Sequence, residues 1–272
     1  MKSVLNIAAY RFAPLQALKE LQAGLRELCT SLEIRGTILL APEGINLFLA
    51  GSHPALETVL ARLRTIEGLE GLTAKESFSA RQPFRKLLVK IKKEIITFGR
   101  PEARPDQDGG RRIGPAELKR WLDEGREVTL LDTRNTYEVE VGTFRNAIAP
   151  PLQDFSRFPE LVAQLPEELK EKPIVTFCTG GIRCEKAAPW MEMAGFQNVL
   201  QLDGGILKYF EECGGAHFEG NCFVFDLRTA VTPELTPVVD EIAAAVPEIN
   251  PNAASSTAAP ACRALANAAP GD

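Results

Sequence analysis

Residues 173–184 read Pro-Ile-Val-Thr-Phe-Cys-Thr-Gly-Gly-Ile-Arg-Cys: an apolar run of strand length that ends on a cysteine, then a glycine-containing loop, then the start of a helical pattern. A short strand without polar alternation has to be buried on both faces, as happens in parallel sheets. The neighbouring segments agree. A helix over 115–124 precedes a strand over Val128–Asp132, a helix over 154–164 precedes the strand Pro173–Phe177, and a helix over 184–194 precedes a short strand over 199–202. Strands that alternate with helices predict a parallel α/β sheet covered on both sides. Cys178 then sits at the carboxyl end of a strand with a helix starting just beyond it, where open α/β sheets place their sites.

The loop makes chemical sense as an anion cradle. Gly180 and Gly181 can take positive φ, which turns successive backbone N–H groups inward. The helix that begins at about Cys184 adds its positive end, and Arg183 adds a fixed charge. Such surroundings lower a thiol's pKa and make Cys178 a nucleophile. A lone cysteine at a strand end is more often a small buried hydrophobe. The company of Thr179, Gly180, Gly181, Ile182 and Arg183 argues against that reading. Cys184 is the first residue of the next helix, a position expected to lower its pKa too. It is a candidate to resolve an oxidised sulfur on Cys178, the bland alternative being a residue packed under the loop.

The first hundred residues follow a different pattern. Residues 3–12 read as a strand. Residues 14–32 carry Leu15, Leu18, Leu21, Leu25, Leu28 and Leu32 at helical spacing. Residues 36–41 and 45–50 are strands joined at the Pro42-Glu43-Gly44 turn, 53–66 is a second amphipathic helix, and 72–79 and 86–98 are strands. The order β-α-β-β-α-β is the split βαβ arrangement of ferredoxin-like domains. Glu43 and Asn46 read as turn residues or as lining for a cleft between domains.

Several stretches then carry a resemblance. CTGGIRCEKA over 178–187, with Asp132, Arg134, Glu138, Gly142 and Ile148 upstream, resembles the rhodanese domain. Cys178 to Arg183 spans six residues, the sulfurtransferase loop size; phosphatases of similar fold carry one residue more. Thr143 stands where that pattern often has His. Together with LLAPEGIN (39–46), PFRKLLVKIKKEIITFG (83–99), LDGGILKYFEE (202–212) and GNCFVFDLRTAV (220–231), the chain resembles the rhodanese-containing tRNA uridine(34) hydroxylase family. The resemblance implies an α/β fold in two parts, a ferredoxin-like domain over 1–98 and a rhodanese domain over 113–218, joined by a Gly- and Pro-rich linker over 99–112. Residues 219–246 are then an extension packed on the core. The Ala- and Pro-rich stretch 247–272, with Cys262, is expected to be disordered and replaces the cysteine-rich extension of many relatives. Leu47-Phe48 after GIN is a second departure.

The activity implied is oxygen-dependent hydroxylation of the tRNA wobble uridine to 5-hydroxyuridine, with Cys178 as nucleophile or persulfide. O2 would be co-substrate, an unidentified reductant would supply electrons, and no bound cofactor is expected. The loop by itself fits a thiosulfate or persulfide sulfurtransferase equally well. A non-catalytic RNA-binding or sulfide-sensing module is the remaining alternative.

The expected partner is the anticodon region of tRNA. Residues 81–100 hold Arg81, Arg85, Lys86, Lys90, Lys92, Lys93 and Arg100 against one acid, Glu94. Such a stripe can hold phosphates without reading sequence, or simply protect an edge strand. The net charge of −5 excludes a uniformly basic binder but not a basic face. No run is long and apolar enough for a membrane span, and no signal-peptide cleavage pattern follows the N-terminus, so the cytoplasm is the expected compartment. The six cysteines include no C-x-x-C pair, and Cys213, His217 and Cys222 fit no zinc module, so no metal is expected. His53 reads as a helix-start residue. Nothing sets an oligomeric state.

Overall fold

A computed structural model describes residues 4–105 and 110–238. The expected tail, Cys262 and the last residues of the extension lie outside that range.

The N-terminal elements are β1 (Val4–Phe12), α1 (Leu18–Ser31), β2 (Arg35–Ala41), β3 (Gly44–Gly51), α2 (His53–Arg64), β4 (Lys75–Ser79) and β5 (Leu87–Ile91). They form one sheet in the order β4-β1-β3-β2-β5. β1 runs antiparallel to β3 and β4, and β5 adds a parallel strand outside β2. The first four strands therefore keep the ferredoxin-like arrangement. One face, with Leu5, Ile7, Ala9, Ile38, Leu40, Ile45, Leu47 and Leu49, packs on α1 and α2 residues such as Leu25, Leu56 and Leu60. Period-two alternation sends the next residues to the other face. On that face Ala8 lies opposite both Phe48 and Lys75, and Tyr10 lies opposite Asn46.

Two expectations about this region need correction. The first helix begins at Leu18, not at residue 14. The backbone before it still extends past the turn, with Ala13 N–H donating to Glu43 O and Leu15 N–H to Pro42 O. The last strand ends at Ile91, not at 98. Lys92 N–H still donates to Leu40 O of β2, and beyond it the chain leaves the ladder: Ile95 N–H donates to Glu43 Oε1 and Phe98 N–H to Glu94 Oε2. The strand's outer edge is covered as well, because Gln22 and Arg26 of α1 both donate to Val89 O.

The second part comprises β6 (Arg112–Ile113), α3 (Pro115–Asp123), β7 (Thr129–Asp132), α4 (Thr136–Val139), β8 (Gly142–Phe144), α5 (Phe158–Val162), β9 (Ile174–Phe177), α6 (Cys184–Met193), β10 (Val199–Leu202) and α7 (Gly205–Cys213). The short strands β11 (Phe218–Gly220), β12 (Cys222–Phe223) and β13 (Ala230–Val231) follow. β6-β10-β9-β7 is a parallel sheet, as expected. Its central strand β9 is buried throughout. One side packs on Ile206, Tyr209 and Phe210 of α7 and Leu118 of α3. The other packs on Ala187 and Met191 of α6, with Phe155 and Phe158.

The C-terminal strands fold back onto this core. Phe223 stacks edge-on against Tyr137 at 5.3 Å and against Phe225 at 5.2 Å. Phe225 reaches Phe48 of β3 at 6.1 Å, and Leu227 N–H donates to Pro83 O. A small apolar cluster of Ala41, Ile95 and Ile182, with Tyr10 and Phe12 beside it, joins the ferredoxin-like sheet to the loop after β9.

Charge is buried at one conspicuous place in the second sheet. Arg134 and Asp132 are both 0% exposed. Arg134 Nε and Nη2 donate to the two Asp132 oxygens at 2.9 and 2.6 Å, and Thr143 Oγ1 donates to Asp132 Oδ2 at 2.8 Å. Arg134 also donates to Gly142 O. Removing one partner strands the other charge in the core. Arg134→Met is therefore expected to cost about 3–5 kcal/mol of stability, read as a fall in the urea midpoint at constant slope. A loss below about 1 kcal/mol would show the pair to be dispensable.

Candidate active site

Cys178 ends β9 and is 1% exposed. The loop after it curls around the sulfur. Gly181, at φ +98, points its N–H at Cys178 Sγ at 3.1 Å. Gly180 does not take positive φ; only the second of the two glycines does. From the other side α7 presses on the loop: Ile206 N–H donates to Cys178 O and Leu207 N–H to Thr179 O. Gly204 and Gly205 make that approach possible at φ +72 and +66. A Cβ on Gly205 would lie 2.4 Å from Cys178 O and 2.8 Å from Gly181 N.

Arg183 is 5% exposed, and both of its terminal nitrogens donate to Glu138, each at 2.6 Å. Glu138 is the third residue of α4. Its carboxylate also accepts the Asn135 N–H, closing a capping box. Thr179 Oγ1 lies 3.5 Å from the same carboxylate. Burial works against the Arg183 charge, but Glu138 beside it raises the guanidinium's pKa. The geometry revises the expected cradle. Arg183 braces the loop and shares its charge with Glu138; it is not an uncompensated cation facing a ligand.

Burial also works against a Cys178 thiolate. The Cys184 thiol donating to it, the Arg183 charge and the backbone N–H groups of Arg183 and Gly181 outweigh burial and lower its pKa to about 6. Cys184 behaves oppositely to the expectation for a helix start. It is 0% exposed, and burial together with the adjacent Cys178 sulfur raises its pKa well above the thiol range. Thr133 Oγ1 lies 3.9 Å behind it. Cys178 is thus the thiolate, and Cys184 the thiol that solvates it. Burial likewise pushes Cys222 up to about 12 and Cys29 to about 11, which leaves both inert.

The open side of Cys178 is roofed by the ferredoxin-like sheet. Ala8, Tyr10, Asn46, Phe48 and Lys75 face the loop across a cleft that Leu207 and Phe225 complete. Lys75 Nζ donates to Gly180 O at 2.9 Å and lies 5.4 Å from the Tyr10 ring centroid. Tyr10 Oη donates to Glu185 Oε1, which also takes Arg112 Nη2 at 2.7 Å. Lys186, 1% exposed, donates across to Glu43 at 3.0 Å, Glu94 at 2.7 Å and Ile96 O. Glu43 and Asn46 do meet the second part of the chain: Glu43 binds Lys186, and Asn46 lines the cleft.

The six basic residues expected to meet tRNA stand elsewhere. None of Arg81, Arg85, Lys86, Lys90, Lys92 and Lys93 lines the cleft over Cys178. Arg81, Arg85, Lys86 and Lys93 are exposed, Lys90 and Lys92 half-buried, along the approach to β5 and its outer edge. Phe84, beside Arg85, lines the neighbouring stretch of the cleft with Ser77 and Arg228. Lys75, Tyr10, Phe225 and Lys186 were not singled out from the sequence, and Phe48 was noted only as a departure after GIN, not as part of the site. The available signal was a strand face bearing Tyr10, Asn46 and Phe48 opposite an apolar one. Among the described residues no group of three or more His, Cys, Asp or Glu side chains is placed to hold a metal. No described helix is long and apolar enough to cross a membrane.

Residues 4–95 match the family described as UPF0176 acylphosphatase like domain, and residues 114–212 match the Rhodanese-like domain family. The chain is 52% identical over 239 residues to the tRNA uridine(34) hydroxylase of Cupriavidus taiwanensis, covering 86% of this chain and 85% of that one. It is 46% identical over 283 residues to the protein of the same name from Burkholderia cenocepacia, covering 98% and 100%. The chain belongs to the tRNA uridine(34) hydroxylase family. In this hydroxylase-family chain the Cys178 loop is thus a rhodanese loop roofed by a second domain.

The thiolate assignment has a direct readout. Alkylation of Cys178 by iodoacetamide, followed on its own peptide by mass spectrometry, is expected to be half-maximal near pH 6 and to slow about tenfold per pH unit below that, as the sulfur is protonated. Cys184→Ala removes a donor to the thiolate and should move the midpoint up. A wild-type midpoint near 8.5, the free-thiol value, would refute the assignment. Gly205→Ala forces a Cβ into the loop carbonyls and should likewise raise the Cys178 midpoint; an unchanged midpoint would show that α7 does not hold the loop.

Proposed function

We propose that this chain hydroxylates C5 of uridine 34 in tRNA, with Cys178 as the working thiolate. The observation that carries the reading is a cysteine at the end of β9 whose sulfur takes the Gly181 N–H at 3.1 Å, inside a cleft whose opposite wall belongs to a different domain. A detoxifying sulfurtransferase needs the loop alone. A roofed loop suits a flat substrate inserted edge-on, and anticodon bases are available to be splayed into such a cleft.

The chemistry proposed starts with addition of the Cys178 thiolate to C6 of the uracil, which moves electron density to C5 and O4. C5 then bonds to one oxygen atom of O2. The second oxygen leaves as water, with two electrons and two protons drawn from an external two-electron donor. Loss of the C5 proton with expulsion of the thiolate restores the C5=C6 bond. The chain's own part is to bind the base, keep Cys178 ionised and exclude bulk water through the Tyr10–Phe48–Phe225 wall. Backbone N–H groups of the loop steady the sulfur as its charge changes. Arg81, Arg85, Lys86 and Lys93, exposed along the approach to β5 and past its end and outside the cleft itself, are proposed to hold the phosphate backbone, with Lys90 and Lys92 adding to the same field.

Nucleoside mass spectrometry of tRNA from a deletion strain provides the test. Wild-type chain should restore 5-hydroxyuridine, and Cys178→Ser should leave it absent. Full modification by Cys178→Ser would overturn the role of the thiolate, and absence of the nucleoside with wild-type chain would overturn the activity. Thiocyanate formation from thiosulfate and cyanide at a rate unaffected by added tRNA would point to sulfur transfer instead.

A further inference from the structure

Arg183 is one of two cations on the walls of the Cys178 cleft, and its charge is already matched by Glu138. The other cation is Lys75. It comes from β4 in the other domain, and its bonded partner is a neutral carbonyl, Gly180 O. An ammonium has three protons to donate. Burial lowers the Lys75 pKa, and the Cys178 charge works in the opposite direction. Lys75 leans over Tyr10, and Tyr10 is the direct cross-strand neighbour of Asn46.

Asn46 is 7% exposed and also lines the cleft. Its amide is oriented by the protein, because Nδ2 donates to Ile95 O at 3.2 Å. An amide flip would put two oxygens together, so the assignment of the two ends is secure on chemical grounds. Oδ1 is then the end left over. It accepts from no group among the described residues, yet it is not sealed in the core. Asn46 thus presents an acceptor with no partner among the described residues to the same cleft that Lys75 lines with a donor, which leaves both free to meet a ligand there.

We propose that Asn46 and Lys75 form a base-reading subsite: Asn46 Oδ1 accepts the N3–H of uracil, and Lys75 Nζ donates to O4. This deepens, and rests on, the reading of uridine 34 as the substrate. The C5–C6 edge of the ring then remains for Cys178, while Ala8 and Phe48 give the flat wall against which the ring lies. The pattern discriminates. Cytosine presents a lone pair at N3 and an amino group at N4, so it sets acceptor against acceptor and donor against donor at both positions. Sites built on such hydrogen bonds reject the wrong partner because their own polar groups are left unpaired. Lys75 has a second consequence for the proposed chemistry, since thiolate addition at C6 builds negative charge on O4, where the ammonium stands.

The test uses the full chain and two anticodon stem–loop RNAs that differ only in U34 or C34. Wild-type chain is expected to bind the U34 RNA more tightly. Asn46→Leu and Lys75→Gln should each shrink the U34/C34 affinity ratio by about tenfold, with little change for the C34 RNA. Lys75→Arg, which keeps a donor, should restore part of the ratio. The Cys178 alkylation rate and the urea midpoint of each variant report whether the loop and fold survive. The two substitutions lie on different strands, so failure of one to fold leaves the other decisive. If wild-type chain forms 5-hydroxyuridine in cells but the ratio is the same in wild type and both variants, the subsite is wrong and the activity stands. If wild-type chain forms none, the activity reading fails and takes the subsite with it.

Discussion

Glu138 takes both terminal nitrogens of Arg183 at 2.6 Å, and much of the site follows from where that carboxylate sits. It belongs to α4, a single turn whose start it also caps through the Asn135 N–H. The pair fastens the loop after β9 to the segment after β7, so the central strand β9 and its edge neighbour β7 are tied together at the end that carries Cys178. It also removes a charge. A guanidinium matched by a buried carboxylate stabilises the Cys178 thiolate at short range but has little left to offer a ligand. A negative charge that develops further out needs another cation, and the fold supplies Lys75 from the opposite domain.

The docking of the two domains is therefore part of the site. Buried ionic contacts do the aligning: Lys186 of α6 reaches Glu43 and Glu94, and Glu185 on the same turn receives Tyr10 and Arg112. Ion pairs of this sort add little net stability compared with apolar contacts, but they tolerate few alternative registers. The apolar part, Ala41, Ile95 and Ile182, is small. Cys178, at 1% exposure, lies under the face of the ferredoxin-like sheet that this alignment brings over it.

Much of the scaffold was readable in the residues. The buried run Ile174–Phe177, the loop and the helix from Cys184 lie where apolar periodicity put them. So do the hairpin β2–β3 and the alternation of strand and helix in the second part. The misreadings share a physical cause, which is contact made far along the chain. Residues 92–98 look like strand, but Glu43 and Glu94 capture the Ile95 and Phe98 N–H groups, and both carboxylates also take Lys186. Arg183 looks like a ligand cation until Glu138, 45 residues away, is placed on it. Cys184 looks like a second reactive thiol at a helix start, yet complete burial under the loop raises its pKa. Local sequence carries none of these distances.

Asn46 shows how the two kinds of information combine. Its place in a strand can be read from alternation, and its polarity marks the face of β3 that is not the core. Only the second domain reveals that this face looks onto a thiolate and not onto water. Once it does, the hydrogen bond from Nδ2 to Ile95 O becomes informative, because it decides which end of the amide is available. Ile95 itself lies in the stretch that left the β5 ladder for Glu43. The departure from regular strand at 92–98 thus has a use: it ties the domain interface, the orientation of Asn46 and the cleft wall into one connected set of bonds. A substitution at Glu43 would loosen all three at once, through Ile95, without touching the base or the sulfur.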